Sequence, residues 1–257
     1  MKHLATIAFA AAFALVLAAP AAAQRDRDRD ERNYEEETVE RTLTLAPGGR
    51  LRLRTFSGRV NITGVEGSQV VIKALRRAPR ERLDDIRLEI TQSGDAIEIN
   101  ANDRRVERRK NNVVETHFDI TVPSRTSLDI DTFSAPVTVR GVAGSHEVDG
   151  FSSRLRLSGV SGPLRAKTFS GEIEIEATGW QNGDDLSAET FSGDVIVRLP
   201  DSARGSMSFN SFSGRFESDL PVAVTAASRR DFRGELNGGG SSAFRMKTFS
   251  GDVTIRK

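Results

Sequence analysis

The dipeptide Phe-Ser recurs at Phe56, Phe133, Phe151, Phe169, Phe191, Phe212 and Phe249, mostly within the frame Thr-Phe-Ser-Gly-[Asp/Glu/Arg] followed by alternating Val or Ile. Thr168 to Ile175, Thr190 to Val197 and Thr248 to Ile255 are clean copies, and Asp231 to Leu236 is a degenerate one around Phe232. From Phe133 the steps are 18, 18, 22, 21, 20 and 17 residues, a period that belongs to stacked supersecondary units. Gln92 to Ile99 keeps a Ser-Gly-Asp turn and reads as a further, offset copy in the long gap after Phe56.

Each unit has apolar residues at every second position on both sides of its Ser-Gly: Leu164 and Ala166 before, Ile173 and Ile175 after. Period two with β-branched enrichment specifies strands, and glycine between them tolerates the positive φ of a tight corner. One strand–corner–strand unit has too thin an apolar face to be stable, whereas units stacked at strand spacing share a continuous core. The expected fold is all-β: a β-solenoid or β-helix-like stack of 17–22-residue repeats, with an antiparallel β-sandwich as the alternative. Residues 41–257 read as one β-strand-repeat domain, irregular over 41–127 and regular over 128–257.

The amino-terminal segment is of another kind. Lys2, the apolar run from Leu4 to Ala19 and Ala21-Ala22-Ala23 give residues 1–23 the pattern of a cleaved secretory signal. Residues 24–40, QRDRDRDERNYEEETVE, read as a charged disordered leader, because they contain too little apolar surface to offset ordering. No later run is apolar enough for a transmembrane helix. The chain is expected to be exported, to the periplasm or to the cell surface and beyond. Without Lys2 the remainder carries 36 basic and 36 acidic residues, a balance that argues against a nucleic-acid partner. The absence of cysteine excludes disulfides, thiol catalysis and Cys-ligated metal.

The recurring Ser-Gly-[Asp/Glu]-[Val/Ile] unit, the strand end Ile120-Thr121-Val122-Pro123 and the signal segment resemble the adhesin-type β-strand-repeat family of bacterial exported proteins, domain-of-unknown-function family 4097. The resemblance covers Leu51 to Lys257. It implies an envelope or surface interaction role and carries no catalytic residues. Ala135-Pro136, Ser153 and Arg233 depart from the turn pattern.

Candidate binding residues follow from the repeat. In a continuous strand, Phe133, Phe151, Phe169, Phe191 and Phe212 would face away from the core as an aromatic stripe, fit for a glycan or protein partner. A bend at the preceding Thr would fill a corner of the core with them instead, and buried or semi-buried stacking is the expectation, since so much exposed apolar area is a liability. Two basic clusters are candidates for an anionic surface. One comprises Lys73, Arg76, Arg77, Arg80 and Arg82, the other Arg104, Arg105, Arg108, Arg109 and Lys110. Trp180 either stacks on a sugar or seals the stack.

The position after the corner glycine runs Arg154, Glu172, Asp194, Arg215, Glu235, Asp252, with Glu172/Asp194 and Glu235/Asp252 as expected like-charge neighbours. A solvated row fits better than a calcium site, because the spacing is not that of calcium-binding nonapeptides. Asp84-Asp85 and Asp184-Asp185 are the carboxylate doublets a glycosidase or lyase would need, but adjacent strand residues point to opposite faces. His117 and His146 accompany no serine elbow or zinc motif. The expected protein is a non-catalytic envelope or surface module, without cofactor or metal, that engages an envelope polymer, glycan or another protein. Two alternatives stand beside it: a carbohydrate-active β-helix enzyme, and a scaffold assembling through an uncovered last repeat at Arg256-Lys257.

Overall fold

A computed structural model of the chain describes residues 34–101, 113–228 and 230–257. The amino-terminal part holds β1 (Tyr34–Thr44), β2 (Arg50–Val65), β3 (Gln69–Pro79), the short helix α1 (Arg80–Asp85), β4 (Glu89–Ser93), β5 (Ala96–Asn100) and β6 (Glu115–Pro123). The repeats then run β7 (Ser127–Ser134) with β8 (Val137–Arg140), β9 (His146–Gly150) with β10 (Leu155–Val160), β11 (Leu164–Ser170) with β12 (Ile173–Ala177), and β13 (Leu186–Ser192) with β14 (Val195–Arg198). They continue as β15 (Gly205–Ser211) with β16 (Phe216–Ser218), the hairpin β17 (Val222–Ala227) and β18 (Asp231–Leu236), and β19 (Ser242–Ser250) with β20 (Val253–Arg256).

The expected stack is present: a β-solenoid in which one continuous sheet folds at the Ser-Gly corners into two faces of parallel strands. The strands on the Phe side of the corners pair in the order β2–β7–β9–β11–β13–β19–β15, with β5 beside β2, all parallel. Their partners pair as β6–β2–β8–β10–β12–β14–β20–β16, again parallel. Antiparallel strands close the ends: β4 on β5, β3 on β6, and the β17–β18 hairpin on β15. Between the two faces, registers align like with like. Leu128, His146, Leu164, Leu186 and Phe244 form one row, and Val137, Leu155, Ile173, Val195 and Val253 another, all of them buried.

Space and sequence part company at the carboxyl end. The last repeat, β19–β20, lies between β13–β14 and β15–β16, so the rung expected to be uncovered has a parallel neighbour on both sides. The Phe232 segment is not a rung. It is the antiparallel strand β18, which covers β15, and Phe232 packs on Phe209 and Phe216. A parallel rung needs a return strand, whereas a hairpin needs only the short turn that Ser228 and Asp231 supply.

Two amino-terminal expectations are also corrected. β2 within 41–127 is already a full rung, both strands in one continuous element, paired with β7 and β8. Residues 34–40 belong to β1 and lie beside β3. Charge explains why so polar a segment orders as a strand. Glu35, Glu37 and Glu40 reach Arg80, Arg76 and Lys73, each acid pairing with one cation of the first basic cluster. Residues 1–33, with the expected signal and most of the leader, lie outside the described residues.

Candidate functional site

The register of the residue before each phenylalanine decides where the ring goes. Thr168 and Thr190 stay on the inward register and are buried, and each hydroxyl donates to a backbone carbonyl of the neighbouring rung: Ser153 O at 3.1 Å and Gly171 O at 3.2 Å. Thr55, Thr132, Ser211 and Thr248 hold the same buried position before their rings, Thr55 and Thr248 with no bond on the hydroxyl, so the inward register is what the rungs share, and parity turns the next residue outward. The rings are therefore exposed rather than buried. Phe133, Phe151, Phe169, Phe191, Phe212 and Phe249 are 42–49% accessible, more open than the buried or semi-buried stacking expected.

Seven rings stack in one ladder, in the spatial order Phe56, Phe133, Phe151, Phe169, Phe191, Phe249, Phe212. Successive centroids are 4.6–4.9 Å apart and successive planes lie within 13° of parallel. That spacing is the strand spacing, so the backbone imposes it on the rings. Phe56 and Phe249 extend the five-residue stripe expected from sequence, and their membership was readable in the shared Phe-Ser dipeptide. At the far end the ladder is capped: the guanidinium of Arg230 lies 4.1 Å from the centroid of Phe212. Arg230 sits in the β17–β18 turn, and no repeat position announces it.

A second row runs parallel to the rings, two residues earlier on each strand. Arg54, Asp131, Asp149, Lys167, Glu189, Lys247 and Asn210 are register neighbours in that order. Lys247 Nζ lies 3.0 Å from Glu189 Oε1, and this hydrogen bond holds the Glu189 carboxyl below its ordinary range. Asp149 goes the other way, because burial raises its pKa and Glu147 adds repulsion. Between this row and the rings from Phe151 to Phe212 runs an open groove of about 730 Å³, floored by Thr168, Thr190 and Thr248. This row was not among the candidates expected from sequence, although the repeat carries its signal: six of its seven members are charged and each precedes a ladder phenylalanine by two.

The other candidates are structural where they are described. Arg76 is buried at 3% exposure, held by Glu37 and the Ile86 carbonyl, so it is not available to an anionic surface. Arg77 points outward in register with Glu115, Arg80 pairs with Glu35 and Asp84, and Arg82 lies on α1. Strand alternation and the turn into the helix keep these four from converging. The second cluster, Arg104, Arg105, Arg108, Arg109 and Lys110, lies outside the described residues. Trp180 seals the core: it is buried, tilts on Phe244 at 5.3 Å and donates Nε1–H to Ser242 Oγ at 3.3 Å.

The acidic side chains are occupied in the same way. Asp184 accepts the Gln181 N–H, while Asp185 accepts Ala243 N–H at 2.9 Å and pairs with Arg245 at 3.1 Å, so the doublet clips a loop onto β19. In the corner row Glu172 and Asp194 are neighbours as expected, and the rung order changes only the second pair. Arg154 meets Glu172 at 3.3 Å, Asp194 accepts Asp252 N–H at 2.8 Å, and Arg215 meets Asp252 at 3.0 Å, whereas Glu235 belongs to β18 and leaves the row. Among the described residues no three His, Asp or Glu side chains converge as metal ligands. His117 faces Glu115 at 3.3 Å. No described helix is long and apolar enough to cross a membrane.

The Toastrack DUF4097 family model matches residues 33–256, nearly the whole β-stack. The chain belongs to this family. The sequence resemblance and the solenoid thus agree on one Toastrack repeat fold. Among solved structures, a candidate cell adhesion protein from Clostridium sporogenes superposes with a TM-score of 0.51 at 13% identity, covering 86% of this chain and 99% of that one. A candidate adhesin from Bacteroides fragilis gives a TM-score of 0.37 at 10% identity, over 85% and 97% of the two chains. No curated protein sequence matches. At such identities the likeness is one of fold.

Proposed function

We propose that this Toastrack protein is a non-catalytic, exported module of the bacterial envelope or cell surface, and that the phenylalanine ladder and its groove are its binding face. The observation that carries the reading is the ladder itself. Six of its seven rings are 42–49% exposed, and six ring spacings make a single apolar stripe roughly 28 Å long. The rings stack on one another rather than pack into the core and leave their outer edges to solvent, which supports a contact face on top of any stability the stacking contributes. The signal-like segment 1–23 supports export, and the fold shared with the candidate cell adhesion protein of Clostridium sporogenes supports a surface role. The acidic doublets serve loops and ion pairs, which supports a role without catalysis.

The test is binding of the full-length protein to separated envelope fractions (glycan polymer, lipid extract and envelope protein) beside a Phe169→Ser/Phe191→Ser variant. The expected result is saturable binding to one fraction that falls at least tenfold in the variant. Equal binding by both proteins would overturn the reading.

A further inference from the structure

The ladder offers ring edges, not ring faces. With centroids 4.6–4.9 Å apart and nearly parallel planes, nothing enters between rings, and at the β15 end the outer face of Phe212 lies under Arg230. A sugar held by aromatic residues lies on a ring face, so this ladder is a poor glycan platform, and the buried Trp180 provides no substitute. What is left exposed is a strip of aromatic C–H edges, apolar and one ring wide, running along the stack. Its shape suits a linear apolar body. The facing wall of the groove adds the aliphatic stems of Lys167, Glu189 and Lys247.

Charge selects the rest of the ligand. Lys167, Lys247 and Arg230 line the groove against the single carboxylate of Glu189, which Lys247 already engages. Lys167 is flanked in register by Asp149 and Glu189 and is attracted to both, whereas among the described residues Arg230 forms no ion pair with a carboxylate. Arg230, at the groove's end, presents a planar guanidinium suited to a carboxylate or phosphate.

We infer that the groove binds a long-chain anionic amphiphile as a single molecule, with its alkyl chain along the ring edges and its head group on Arg230. The inference rests on the ladder being the binding face, as proposed above. Length fits. Four ring spacings from Phe151 to Phe212 make roughly 19 Å, and an extended alkyl chain advances about 1.25 Å per carbon. A chain of about fifteen carbons fills that length, and one of eight covers half of it.

The probes are hexadecanoate below its micelle concentration, hexadecanol, octanoate, and phosphatidylglycerol vesicles, each measured by equilibrium binding to the full-length protein. Hexadecanoate is expected to bind one to one, with hexadecanol and octanoate at least tenfold weaker. Arg230→Ala should weaken hexadecanoate about tenfold and leave hexadecanol unchanged. Phe169→Ser/Phe191→Ser should weaken every ligand. Should the double variant fail to fold, the Arg230→Ala comparison, which touches no core residue, decides. Absence of saturable hexadecanoate binding, binding insensitive to Arg230, or binding to vesicles alone would each overturn the inference. If hexadecanoate fails while envelope binding still depends on Phe169 and Phe191, the binding-face reading stands without it. If neither depends on the rings, both fall.

Discussion

A Cβ added to Gly193 would lie 2.1 Å from the carbonyl oxygen of Gly171 on the neighbouring rung. Gly251 stands in the same relation to Gly193, at 2.0 Å, so the corner glycines pack backbone against backbone along the stack. Neither carbonyl can retreat without pulling its rung out of register. Gly193→Ala is therefore expected to destabilise the protein by on the order of 3 kcal/mol. Gly179, with a φ of +63° but nothing within 4 Å of an added Cβ, is the control, and Gly179→Asn should cost well under about 1 kcal/mol. Urea unfolding of both variants checks the contrast.

The ladder makes a graded prediction. Phe169 stacks on Phe151 and Phe191 at 4.9 and 4.8 Å, whereas Phe212 has one ring neighbour, Phe249, and the Arg230 cap. Stacked pairs contribute about 0.5–1.5 kcal/mol each beyond buried area. Phe169→Ala should thus cost roughly 1–3 kcal/mol by the same measure, and more than Phe212→Ala. Thermal melts of the two variants suffice, and an equal loss would mean that the rings stand beside one another without cohering.

How much of this was legible in the sequence divides by physical cause. Strand, corner and stack followed from period two around Ser-Gly, because side-chain alternation and glycine geometry are local properties. The exposure of Phe169 was also present in its parity with Leu164 and Ala166. The liability of exposed apolar area argued the other way, and the inward register that Thr168 shares with Thr190 of the next rung decided the matter. The positions of β19 and β18 were not legible, since Phe249 and Phe232 sit in similar local frames and differ only in which strand edge they meet. Arg230 was hidden for the same reason: it joins the ladder through a hairpin, outside the repeat.

The insertion of β19–β20 makes the carboxyl-terminal segment a keystone. β15 and β16 reach the rest of the stack through β19 and β20, with no direct pairing to β13 or β14. Deleting residues 241–257 is expected to detach the rung and the β17–β18 hairpin, so that limited proteolysis cleaves within 205–236. A peptide of residues 241–257 added in trans should restore protection. If the truncated chain melts cooperatively within about 2 °C of the intact one, β15 has closed the slot and the keystone role is wrong.

Asp149 sits in the row beside Asp131, with one carboxylate oxygen buried and without a hydrogen bond. Burial raises its pKa, and Glu147 adds to the shift. A carboxyl whose folded pKa exceeds its unfolded value weakens the fold above the folded pKa, and the penalty fades as pH falls toward the unfolded value of 3.8. Asp149→Asn should stabilise the protein at pH 7, by less than about 1 kcal/mol given its partial exposure. The gain should vanish near pH 4, as paired denaturation curves at the two pH values would reveal.

His146 occupies a leucine position in the core row, between Leu128 and Leu164. Its Nε2 lies 3.1 Å from the Val142 carbonyl, the arrangement of a neutral imidazole donating from Nε2, and burial holds its pKa below 6.5. The unfolded chain therefore takes up a proton below pH 6.5 that the folded chain refuses. Stability conferred by the neutral ring is complete above that pH and declines as pH falls toward the folded value. His146→Leu continues the apolar row and should remove this acid-side decline, leaving a flatter stability profile between pH 7 and pH 5. At pH 7 the change should be small, because the added packing offsets the lost hydrogen bond to Val142. Unfolding midpoints for both proteins across that range are the measurement. A variant that loses stability on acidification as steeply as the parent would place the sensitive group elsewhere.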